Sequence, residues 1–75
     1  MNLKTMRVNP EEIKRGDYVF LNGETCFVIM CGETWIHKHP YIYCCYATRS
    51  NGEEHKDICI SDMPKRVEIC RMVKQ

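Results

Sequence analysis

The dipeptide Asn22-Gly23 stands between two β-rich runs, 18–21 (Tyr-Val-Phe-Leu) and 25–31 (Thr-Cys-Phe-Val-Ile-Met-Cys), and it fixes a hairpin at that point. Both residues tolerate positive φ, which a two-residue type I′ turn requires. Ser50-Asn51-Gly52 repeats the signal between a run at 41–48 (Tyr-Ile-Tyr-Cys-Cys-Tyr-Ala-Thr) and one at 53–60. Ser61-Asp62-Met63-Pro64 then breaks the chain. Val67 and Ile69 alternate with Glu68 and Cys70 in a last run over 66–72. No window keeps a sustained 3.6-residue apolar period, which gives a helical bundle poor support.

These signals predict an all-β fold, a small five-stranded SH3-like antiparallel barrel spanning 16–75. Residues 1–15 form an N-terminal segment with one short helical turn. Asn9 would cap that turn, Pro10 would open it, and Glu11 and Glu12 would suit its first positions. The near-continuous apolarity of 25–31 implies burial on both faces, or a neighbour over the outer face. The chain has 75 residues, which is one domain's worth. A chain of that size buries only about 60% of its unfolded surface, so its stability margin is modest.

Eleven basic and ten acidic residues leave a formal net charge of +1. Nucleic-acid binders carry a basic excess because Lys and Arg replace phosphate counterions. The global balance gives no such signal, which leaves only a local basic patch for RNA. The six cysteines are unusual for the length. Residues 1–10 have no apolar core like that of a secretory signal, and no run approaches the roughly 20 apolar residues of a membrane span. The expectation is a cytoplasmic, reducing setting with free thiols acting as small apolar residues, and no membrane partner. Cys44 and Cys45, being adjacent in a strand, should face opposite sides.

Residues 16–59 resemble the N-terminal domain of the hypusine-containing translation factor five-A family, the relatives of bacterial elongation factor P. The matching positions are Gly16, Val19, Leu21, Gly23 and Cys26, then His37-Lys38-His39, then Gly52 with Asp57-Ile58-Cys59. The resemblance implies an SH3-like barrel and contact with the ribosome through the loop at 32–40. The family's modified lysine aligns with Ile36. Lys38 replaces the Gly between the two histidines, and Trp35 replaces the Gly before the modified site. The same fold family includes the self-assembling core protein of fungal Woronin bodies, so the resemblance is also compatible with a structural role.

His37 and His39 flank Lys38 a few residues before Cys44 and Cys45, but no Cys-x-x-Cys spacing announces zinc, and neither metal nor cofactor is expected. Nothing in the pattern supplies a nucleophile with its base and oxyanion donors, so no enzyme activity is expected. The candidate binding residues are Trp35, Ile36, His37, Lys38, His39, Arg49 and Lys56. Trp35 would stack or anchor, while Lys38, Arg49 and Lys56 would meet phosphates. The basic C-terminal residues, Arg71 included, read as a solvated strand edge. The leading expectation is a non-catalytic module touching ribosome or RNA through the 32–40 loop. The alternative is a structural component of a larger protein assembly, such as a viral or organellar particle, built through strand edges and apolar loop residues.

Overall fold

The computed structural model describes residues 2–48 and 52–73. The chain is all-β, with six strands in one antiparallel sheet: β1 (Asn2–Val8), β2 (Tyr18–Leu21), β3 (Glu24–Glu33), β4 (Pro40–Thr48), β5 (Gly52–Cys59) and β6 (Val67–Val73). Their order is β1-β6-β2-β3-β4-β5, so β1 and β5 are edges and the sheet is open. Two one-turn 3₁₀ segments, Pro10–Glu12 and Ile60–Asp62, join β1 to β2 and β5 to β6.

Three expectations are corrected here. There are six strands rather than five, and the sheet does not close into a barrel. The N-terminal segment is also a strand, with β1 paired to β6 from Asn2↔Val73 to Val8↔Val67. The turn at Pro10–Glu12 lies inside the fold, after β1, and the Asn9 side chain makes no capping hydrogen bond to its backbone.

The Asn22-Gly23 turn is the reason β2 and β3 pair as they do. Both residues have positive φ, 51° and 78°, and Leu21 faces Glu24 across the turn. Beyond it, β3 carries a bulge between Val28 and Met30. The bulge resolves the apolar run at 25–31. Cys26 and Val28 point into the core, while Phe27 and Met30 stay 36% and 45% exposed on the outer face. Cys44 is buried and its neighbour Cys45 is half-buried, on the opposite face.

The core gathers Val8, Ile13, Val19, Cys26, Val28, Ile42, Cys44, Ile60, Val67 and Ile69 into one cluster. Val8 of β1 and Ile42 of β4 sit four strand spacings apart, about 19 Å on a flat sheet. They share a cluster because the sheet, lacking a second layer, curls until its own inner face covers itself. Ile60, in the second 3₁₀ turn, fills the cluster from the β5–β6 connection.

Among the described residues the one buried charge is Asp17, 2% exposed. Arg71 of β6 donates to it twice, from Nε to Oδ1 at 2.8 Å and from Nη2 to Oδ2 at 2.7 Å. The Lys14 amide donates to Oδ2 at 2.9 Å, and Arg71 Nη2 also reaches the Glu12 carbonyl at 3.1 Å. Arg71 therefore lies on an interior strand in a bidentate ion pair, not on a solvated edge. Hydrogen bonds to Asp17 push its guanidinium further above its ordinary range, so it stays charged at any pH the fold meets. Removing one partner of such a pair strands the other charge in the interior. Arg71→Ala, which leaves the buried Asp17 carboxylate without its cation, is expected to lower the unfolding free energy by about 3–5 kcal/mol in urea titrations. Glu68→Ala, on the exposed side of β6, should change it by no more than about 0.5 kcal/mol.

Candidate functional site

The hairpin joining β3 to β4 carries the candidate site on its loop, 34–39. Three backbone and side-chain bonds close that loop. The Thr34 amide donates to the His39 carbonyl at 2.9 Å and the Lys38 amide to the Thr34 carbonyl at 3.0 Å. The His39 amide donates to Thr34 Oγ1 at 2.9 Å. Thr34 is thus the staple of the loop: a hydroxyl one residue after a strand end can satisfy an amide that the ladder leaves free. Lys38 has φ +53°, a left-handed conformation that side chains other than Gly, Asn and Asp rarely adopt.

A closed loop holds its side chains outward. Trp35 is 94% exposed and Ile36 is 78% exposed. His37, Lys38 and His39 are exposed as well, with the two imidazole centroids 5.8 Å apart and tilted by 39°. The structure therefore brings together five of the seven residues expected from sequence. Lys56 stands apart, opposite Cys44 in the β4–β5 ladder, roughly 13 Å along the strand from Pro40. It lines a different recess, with Leu21, Glu24, Asp62 and Met63. Arg49 lies outside the described residues. Among the described residues of that expected basic set, Lys38 stands on the loop and Lys56 does not.

Tyr41, an aromatic at the loop exit that the sequence offers as a possible stacking or anchoring group, lines a recess beside Trp35 with two residues that sequence reasoning left out, Asp57 and Cys59. Glu33 and Thr34 complete its rim. Tyr41 pairs with both Gly32 and Cys59 across the sheet, and Asp57 pairs with Tyr43. Only the strand register reveals this grouping, because these residues come from three strands.

The thiols are placed differently. Among the described residues, no three His, Cys, Asp or Glu side chains gather as a metal-holding group. Burial pushes the Cys26 and Cys31 thiols up, with the Asp17 charge adding to the effect on Cys31. Burial, reinforced by the neighbouring Cys26, pushes Cys44 up to about 12, and its Sγ–H donates to the Lys56 carbonyl at 3.5 Å. A nucleophilic cysteine needs the opposite shift. No helix among the described residues is long and apolar enough to cross a membrane. No protein-family model, curated protein or solved structure matches this chain.

Two expectations follow from this geometry. The folded chain keeps the Cys44 proton at pH values where the unfolded chain loses it. Its stabilising contribution is therefore whole below the ordinary value of 9.0 and disappears as pH rises toward 12. Urea titrations should show stability falling above pH 9 by at most about 1.4 kcal/mol per pH unit from this group, and Cys44→Ala should flatten that slope. At the loop, Lys38→Gly should leave thermal stability unchanged or raise it by up to about 1 kcal/mol. Lys38→Val, β-branched at positive φ, should lower it by about 1–2 kcal/mol.

Proposed function

We propose that this chain is a non-catalytic binding module that docks on a larger protein assembly through the β3–β4 hairpin, with Trp35 and Ile36 as anchors. The observation that carries the reading is the exposure of these two large apolar side chains, 94% and 78%, on a loop closed by its own hydrogen bonds. Exposed apolar groups usually lie flat on a surface or scatter singly. Two in succession on a projecting, pre-formed tip are costly in water and favourable only when covered. Because the loop is already ordered, little conformational entropy remains to be lost on docking.

The SH3-like description is part of the same proposal. Strands β2 to β5 run as a meander, a 3₁₀ turn follows, and β6 returns to pair with β2 at Tyr18↔Cys70. That connectivity supports an open SH3-like barrel with β1 added beside β6. One backbone position is compatible with a likeness to the translation factor five-A family. Lys38, which replaces the family's Gly, sits at a positive φ that Gly adopts without steric cost.

Ribosome or RNA contact is the second reading, and Lys38 favours it. Lys38 is an exposed lysine on a left-handed backbone that Gly would occupy without strain, and such strain gathers at positions where a side chain is used. Lys38 stands without a basic neighbour in the loop, however, and phosphate recognition draws its strength from several cations.

Sedimentation of native lysate separates the two. The docking reading expects the protein in a heavy, ribonuclease-resistant peak. Trp35→Ala should weaken that association about 30-fold, the size of a hot-spot loss, while Lys38→Ala should change it little. A peak that dissolves with ribonuclease or high salt, and that Lys38→Ala removes, would replace the protein partner with RNA.

A further inference from the structure

The recess beside Trp35 has a chemical character of its own. It measures about 470 Å³ and is lined by Glu33, Thr34, Trp35, Tyr41, Asp57 and Cys59. Two aromatic rings and two carboxylates line it, and among the described residues no lysine or arginine does. Tyr41 owes its place to Gly32, its partner in the ladder. A Cβ on Gly32 would stand 3.1 Å from Tyr41 Oη and 3.2 Å from Cζ, so the missing side chain is the space the ring occupies. Asp57 lies two residues along β5 from Cys59, the ladder partner of Tyr41, and is exposed, so its carboxylate can face a ligand. Trp35, almost wholly uncovered, lines the same recess.

An aromatic face attracts a cation through its quadrupole, and a nearby carboxylate adds a second attraction. A neutral apolar ligand would gain from the rings alone and would desolvate Glu33 and Asp57 without return. An anion would be repelled. We infer that this recess takes a cationic side chain of the docking partner, a guanidinium or an alkylated ammonium, held between Trp35 and Tyr41 and faced by Asp57. The inference rests on the docking reading and adds to it the chemistry of what the partner presents.

The chain contains a single tryptophan, so one indole N–H signal reports on the site. The full chain, labelled with ¹⁵N, would be titrated with three probes. These are N-acetylarginine methylamide, N-acetyl-trimethyllysine methylamide, and the isostere of the latter with a neutral tert-butyl group in place of trimethylammonium. The expected result is a saturable shift of the Trp35 indole signal with at least one cationic probe, and binding of the neutral isostere weaker by about 2- to 5-fold. Asp57→Asn, an exposed change that leaves the fold intact, should weaken cation binding by a similar factor. Gly32→Ala should weaken it by displacing Tyr41. The inference is overturned if neither cation moves the indole signal, if the neutral isostere binds as well, or if Asp57→Asn leaves the affinity unchanged. None of those results touches Trp35 as an anchor. Loss of heavy-peak association in Trp35→Ala, alongside a cation titration without response, would keep the docking reading and remove this one.

Discussion

The pairing of Asp17 with Arg71 is the contact on which the rest of this fold depends. Its partners span the chain: the Lys14 amide and the Glu12 carbonyl before β2, and Arg71 on β6. The backbone of the same residue accepts from the Val28 amide at 2.9 Å, and Gly16 donates to the Val28 carbonyl at the same distance. These bonds fasten the start of β2 to β3 just before the bulge. An open sheet of six strands has no second layer to hold its curvature. A charge that can be tolerated inside only when fully paired supplies that constraint, since any uncurling that separates β6 from β2 exposes or strands it.

Past the bulge, β3 leaves β2 behind and continues with β4 alone, so the site hairpin extends from the fastened part of the sheet. The core residues Val28, Ile42 and Cys44 anchor its base. Thr34 closes its tip. The result is a projecting loop closed by its own hydrogen bonds, and the two apolar side chains on it stay largely exposed. Beside them, the Gly32–Tyr41 pairing converts a flat sheet surface into a recess with aromatic walls and an acidic rim.

Local signals in the sequence were enough for the parts of this fold that local chemistry decides. Asn22-Gly23 placed the first turn, the alternation of Val67 and Ile69 placed the buried side of β6, and the adjacency of Cys44 and Cys45 assigned them to opposite faces. Trp35 and Ile36 could be singled out because a loop bounded by Gly32 and Pro40 has no core to offer them. What remained hidden was long-range. Strand β1 lacks clean alternation, and its only reason to be a strand is β6, more than fifty residues away. Arg71 looked like one more basic residue near the end of the chain because its partner lies 54 residues earlier. Tyr41, Asp57 and Gly32 meet only through the register of three strands, and the bulge at 28–30 shifts that register in a way no dipeptide announces.

A docking tip formed in advance is the central claim, and amide hydrogen exchange of the free protein tests it most directly. The amides of Lys38 and His39 are bonded to Thr34, so both should exchange well below the rate of an unstructured chain, while those of Ile36 and His37, which find no such bond among the described residues, should exchange faster. Exchange of Lys38 and His39 at unstructured rates would mean that the loop takes shape only on contact, and the account of a pre-formed anchor would be wrong.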